Sequence, residues 1–190
     1  KLNEFPSILD FIPVNLHAGI KARSDTTDLS SYITAAYAVY DVLYWPRGRY
    51  YTASSINLTA IFGAGIIGES WNASPSYSTD ATEIIINATD TPGIMLWGPV
   101  RVENIYVAYA AQQTTSHTTS RTIEFNNISG ASIRNVKAYY GNTNFGIKQA
   151  AFGATIYNTI FDSVFTNIQS YSASECHLDL RNYAGGGTNC

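Results

Sequence analysis

"VENIYVAY" (102–109), "IRNVKAYY" (133–140) and "FTNIQSYS" (165–172) are three passes of one pattern: an apolar residue, any residue, Asn, then Ile or Val, with a Tyr four or five places after the Asn. Their asparagines, Asn104, Asn135 and Asn167, stand 31 and 32 residues apart. A second series, Ile94, Ile123, Ile147 and Leu178, recurs at intervals of 29, 24 and 31. Two interleaved strand series on one irregular period, with loops absorbing the irregularity, point to a chain wound into stacked coils. Helical repeats of that length need paired amphipathic stretches, which are absent. The expected fold is therefore all-β: a right-handed parallel β-helix (solenoid) with a short N-terminal capping helix. Successive coils would stack about 4.8 Å apart through parallel pairing. Asn suits one fixed place per coil, because it tolerates the left-handed region and its amide can bond to its counterpart in the next coil.

Away from these strings the pattern is consistent. From residue 56 onward, short β-prone segments alternate with Gly, Asn, Ser and Pro. Before it lies one stretch with helical periodicity. Asp28 is a good N-cap, and Leu29, Tyr32, Ile33, Ala36, Tyr37 and Tyr40 follow on a single face. In "VLYWPRGRYY" (42–51) Pro46 to Gly48 reads as a tight turn between two β-prone runs, a hairpin or a strand entering a sheet. The expected division is a capping segment, 1–55, covering the open edge of the first coils, 56–190. The ending "RNYAGGGTNC" carries no polar cap, so further coils beyond Cys190 are expected.

Composition narrows function mainly by exclusion. Net charge is −3 with no Lys/Arg cluster, which argues against nucleic acid and against an anionic membrane surface as partners. Only 13% of residues are charged, against roughly a quarter in an average domain. No apolar run approaches the roughly 20 residues that cross a bilayer as a helix. Cys176 and Cys190 form neither a disulfide framework nor a zinc pattern, and no cofactor or metal is called for. Four Asn-x-Ser/Thr sites (Asn57, Asn72, Asn87, Asn127) are about what so Asn-, Ser- and Thr-rich a chain contains by chance.

The N-terminal third adds a resemblance. "ILDFIPVNLHAGIKARSDTTDLSSYITAA", "DVLYWPRGRYYTASSINL" and "AIFGAGIIGES" succeed one another here. That order resembles the start of the pectate-lyase-like superfamily: a short strand with Asp-Phe (Asp10, Phe11), an Asp-x-Thr-Asp turn (Asp25 to Asp28), a helix, Pro-x-Gly-x-Tyr (Pro46 to Tyr50) and a Gly-rich first coil (Gly63 to Gly68). The common Gly-Ala after Asp-Phe is replaced by Ile12, Pro13, Val14 and Asn15. The variant "DFIP…HAGIK" is similar to that of phage tailspikes. The resemblance implies a homotrimer in the virion tail, assembled with other tail proteins and acting outside the cell on host capsule or O-antigen polysaccharide. Depolymerisation is the activity it implies. A non-catalytic glycan-binding adhesin and a cellular pectate lyase or polygalacturonase relative are the alternatives.

Glycoside hydrolysis needs two carboxyl groups flanking the bond, about 5–5.5 Å apart for retention and 6.5–9.5 Å for inversion. If Ile123, Ile147 and Leu178 stack inward, Glu124, Lys148 and Asp179 stack outward on successive coils. Glu124 and Asp179 are then the candidate catalytic pair, roughly 9 to 10 Å apart, with Lys148 between them against substrate. The same acid, base, acid column is also an ordinary cross-strand charge ladder. An elimination reaction would instead use a base such as Lys148 or Arg181. The loops 110–120, 141–144 and 172–177 follow the Asn-bearing strands and are expected on one corner, where His117, Asn144, Glu175 and His177 would contact substrate. Trp71 and Tyr140 are aromatics that could stack on sugar rings, while most coil tyrosines are expected to pack on one another.

Overall fold

The computed structural model describes residues 5–59, 63–71, 80–147, 160–161, 163–174 and 176–179. Within them the chain is mostly β, and every strand pairing is parallel. A 3-10 turn (Ile8–Phe11), α1 (Val14–Ala22) and α2 (Ser30–Tyr37) come first. The strands fall into two sheets visited alternately. One sheet holds β1 (Val42–Trp45), β2 (Gly48–Thr52), β4 (Ala64–Gly68), β5 (Thr82–Ile86), β7 (Val100–Tyr109), β9 (Ser132–Tyr139) and β12 (Val164–Tyr171). The other holds β3 (Ile56–Thr59), β6 (Ile94–Gly98), β8 (Arg121–Ser129), β10 (Thr143–Ile147), β11 (Ile160–Phe161) and β13 (Cys176–Asp179).

In the first sheet β4 and β5 both pair with the long β7, β4 at its start and β5 at its end. β1 and β2 pair with β4 and β5 in turn. Pro46 and Arg47 therefore interrupt one continuous line and do not close a hairpin. At the break the Trp45 carbonyl takes the Glu69 N–H at 3.0 Å and the Thr82 hydroxyl at 2.9 Å, and the Tyr50 hydroxyl donates to the Pro46 carbonyl at 2.9 Å. Gly48 matters for a second reason. A Cβ there would lie 2.8 Å from Ile20 Cγ2, so glycine lets the end of α1 seat directly on β2.

The strand interruption is taken over by a single residue in later passes. Asn104, Asn135 and Asn167 sit mid-strand with φ of 55°, 55° and 57°. Asn135 Nδ2 donates to Asn104 Oδ1 at 2.8 Å, and Asn167 Nδ2 to Asn135 Oδ1 at 2.9 Å. The three asparagines thus form a row across adjacent strands, as their spacing predicts. Gly68 occupies the corresponding place one strand earlier, where a Cβ would fall 2.1 Å from the Asn104 carbonyl oxygen.

Apolar columns from both sheets share one core. In register these include Leu43, Ile66, Val102, Ile133 and Phe165 in the first sheet. Ile56, Ile94, Ile123 and Phe145 line up in the second. Phe125 meets Phe165 edge-on at 5.4 Å between ring centroids, tying the two sheets together. Phe165 is partly buried against this core, and each fully buried side chain in it contributes about 1.5–3 kcal/mol.

Three local expectations need correction. Asp10 and Phe11 lie in the 3-10 turn instead of a strand, capped by the Ser7 hydroxyl accepting from the Leu9 N–H. The N-terminal segment has a second helix, α1, which the apolar pattern does not signal. α2 starts at Ser30, and Asp28 takes the Ser30 N–H at 3.0 Å together with the Ala53 N–H at 2.9 Å, pinning the helix start to the end of β2. At its far end the Tyr37 hydroxyl donates to the Gly65 carbonyl and accepts from Trp45 Nε1.

Candidate functional site

The register decides what happens to the expected carboxylate column. Phe145, not Ile147, stands opposite Ile123 and Leu178, so Gly146 lies between Glu124 and Asp179. Lys148 is two positions past that column and falls outside the described residues, as do Glu175 and Arg181. Asp179 and His177 are placed by their backbone in β13.

Glu124 does not face open solvent. Its side chain is 2% exposed, with Arg121 Nη1 at 3.1 Å from Oε2 and Asn126 Nδ2 donating to Oε1 at 3.0 Å. Arg121 reaches it by folding over Gly146, where a Cβ would lie 3.1 Å from the arginine Cδ. A buried carboxylate with both oxygens occupied is a structural ion pair in this geometry, and the glycine gap is what makes room for its cation.

The three corner loops do come together. Gln113 N–H donates to the Tyr140 carbonyl at 2.8 Å, Gln112 Nε2 to Ser174 Oγ at 2.9 Å and Asn142 Nδ2 to the Thr114 carbonyl at 3.0 Å. His117 accepts the Thr114 N–H through Nδ1 at 3.2 Å and so braces its own loop. Asn144 is wholly buried: Oδ1 accepts from Gly141 N–H and Thr122 Oγ1, while Nδ2 reaches the Tyr171 and Ala138 carbonyls. It staples the corner and presents nothing to a substrate.

A different surface has the character of a binding site. Alternation along the first sheet turns one side of its second half outward, bringing into register Arg49 with Glu83, Tyr51 with Ile85, Glu83 with Tyr106 and Ile85 with Ala108. Further on, Tyr106 stands beside Lys137, and Ala108 beside Tyr139 and then Tyr171. Here Arg49, Tyr51, Glu83, Tyr106 and Tyr140 line a cleft of ≈ 170 Å³.

The face around it is aromatic and charged. Tyr106 and Tyr139 pack at 4.9 Å, and Tyr139 stacks on Tyr171 at 4.7 Å with rings 12° from parallel. These tyrosines pack on one another, as expected: Tyr106 and Tyr139 are buried and Tyr171 is exposed. Burial, with the neighbouring Tyr171 and Tyr140 hydroxyls, pushes the Tyr139 phenol up to about 12, so it stays a neutral donor. Tyr140 and Trp71 are half-buried, and Lys137 Nζ lies 4.9 Å over the Trp71 ring. Glu83 is 3% exposed and held by Arg49 Nε at 2.7 Å and Arg23 Nε at 3.4 Å. Arg23, left-handed at φ 60° just after α1, also donates to the Ala81 carbonyl, linking the N-terminal helical segment to this face.

Sequence reasoning named Trp71 and Tyr140 but missed Arg49, Glu83 and Tyr106, which converge only once the strand register is known. The signal was their shared outward parity, one residue from the core positions Tyr50, Ile84 and Ile105. Among the described residues no group of three His, Cys, Asp or Glu side chains converges as metal ligands would. Compared with known proteins, the chain matches no family model, no curated protein sequence and no solved structure.

Proposed function

We propose that the chain winds as a right-handed parallel β-helix of the phage-tailspike type and recognises host surface polysaccharide on its outer face. Alternation between two parallel sheets and the Asn104–Asn135–Asn167 row support the winding. The single observation that carries the glycan reading is the cleft at Tyr106, where the half-buried Tyr51 and Tyr140 stand beside a partly exposed arginine paired to a buried carboxylate. Sugars are recognised by that mixture of flat apolar contact and fixed polar groups. Trimerisation in a virion tail follows from the resemblance of the N-terminal third.

Depolymerisation is the second half of the proposal, and the burial of Glu124 favours recognition without cleavage at that column. Saturable binding to purified capsule or O-antigen is the expected result, weakened about ten-fold by Tyr140→Ala with the fold intact, in line with the loss of one aromatic contact. Failure to bind any such polysaccharide, or indifference to Tyr140→Ala, sinks the reading. Release of reducing ends without the C4–C5 double bond that elimination leaves would establish the hydrolase; binding without release establishes the adhesin.

A further inference from the structure

Pairing occupies one side of β3 and leaves the other free. β3 is the last strand of its sheet and, among the described strands, pairs with β6 alone. The Ile56 N–H donates at 2.9 Å to the Gly93 carbonyl, just before β6, so Ile56 and Leu58 direct their backbone groups to that side. Along an extended parallel strand the residue between them points its N–H and C=O the opposite way, which turns those of Asn57 to the free edge. Beyond that edge stands α2, and between the two lies a cavity of ≈ 340 Å³ with Ile56 and Asn57 on one wall and Ile33, Thr34, Tyr37 and Ala38 on the other. The first sheet shows how such edges are met elsewhere at this end. Each of its outermost strands, β1 and β2, receives a parallel bridge from the N-terminal segment, Ser7 to Tyr44 and Asp28 to Tyr51. Among the described residues no such bridge reaches β3.

We propose that this gap takes a short, uncharged, extended peptide of a partner protein, added as one more strand beside β3. Backbone groups are what the gap presents. Its hydroxyls are largely engaged elsewhere: Ser30 and Thr52 bond to each other, Ser55 to the Pro92 carbonyl and Tyr37 to the Gly65 carbonyl. An unpaired strand edge finds its complement in the main chain of another strand, which makes recognition tolerant of sequence and dependent on extension. Every residue lining the gap is uncharged, so a charged side chain entering it would lose water without gaining a partner. Size and access fit the same occupant. The volume lies at the lower end of the ~300–1,000 Å³ of small ligand sites, and the four residues of β3 run about 13 Å, room for a few extended residues. α2 in front of β3 obstructs the edge-to-edge meeting of two folded copies, whereas a lone strand fits between helix and edge. None of the lining residues is shared with the cleft at Tyr106, so the site stands independently of the glycan reading.

Capped hexapeptides alternating Val with Ser or Thr are the probes, titrated against the full chain by fluorescence anisotropy. Saturable binding is expected. The fully N-methylated counterparts, which keep the side chains and lack the N–H groups, should not bind, and neither should a hexapeptide alternating Lys with Glu. Asn57→Pro removes the N–H that faces the gap, at an edge position of the kind proline tolerates, and Thr34→Trp fills the gap from α2. Each should weaken binding about ten-fold. Melting curves establish which variant folds, and either one suffices. Amide exchange at Asn57, fast in the free chain between slower Ile56 and Leu58, should slow when peptide is added. Absence of binding by every uncharged probe, or binding indifferent to the folded variants, overturns the proposal. Equal binding of the N-methylated forms overturns strand addition. Self-association that Asn57→Pro abolishes and the peptides compete away overturns the partner protein in favour of a second copy of this chain.

Discussion

At the scale of single residues, the asparagine row has the clearest energetic signature. Asn135 both donates and accepts within it, and does so from a left-handed conformation that costs most side chains about 1–2 kcal/mol. Each hydrogen bond is worth about 0.5–1.5 kcal/mol. Asn135→Ala should therefore lower stability in denaturant titrations by about 2–4 kcal/mol, and Asn135→Gly by less, since glycine tolerates the backbone. A loss below about 0.5 kcal/mol for alanine would make the row a bystander. The Arg121–Glu124 pair makes a second test. Arg121→Met strands a buried carboxylate and should cost about 3 kcal/mol, most of it recovered when Glu124→Gln is added, as measured by thermal unfolding. Recovery in the double variant marks a structural pair; a continuing penalty does not.

At the scale of elements, the Pro-Arg-Gly break shows how a turn motif can have a second purpose. Gly48→Ala should loosen α1 from β2 because Ile20 blocks the new methyl, with faster amide exchange confined to residues 14–22 as the readout. Exchange that rises uniformly, or not at all, refutes that coupling. The same scale shows what was legible beforehand. The helix at Ser30–Tyr37 was visible because Leu29, Ile33 and Ala36 repeat on one face, and all three are buried. α1 was not, because "VNLHAGIKA" buries only Ile20 and Pro13 precedes it without a capping side chain. The slip at β10 has an equally physical origin. Phe145 and Ile147 have the same parity, so alternation cannot choose between them; the bulk of Phe145 inside and the gap at Gly146 settle the register.

Over the whole molecule, parity and spacing made the parallel all-β character readable, while the cleft was not. Its residues come from positions 49 to 140 and meet only through a register fixed to the residue. Acid sensitivity also belongs to this scale. Asp28 is held below the usual carboxylate range: burial opposes the shift, but the Ser30 hydroxyl and the Ala53 and Ser30 N–H groups outweigh it. Asp90 is lowered by the N–H and hydroxyl of Thr119. A depressed folded pKa stabilises above the unfolded value and is lost as pH falls through the folded one. Stability should thus be level above about pH 5 and decline below about pH 4, by a modest amount because both groups are exposed. Asp28→Asn combined with Asp90→Asn should flatten that decline; an unchanged acid limb would assign it to other carboxylates.

Both amide bonds of the asparagine row run in the same sense, from Asn167 to Asn135 and from Asn135 to Asn104. Such a line has a head and a tail, and each bond polarises the next. A duplicated unit can join it only by presenting its own amide at the same place and with the same polarity. A strand added beside Asn167 or Asn104 without an asparagine in that register would leave the line of amides ending where it now does.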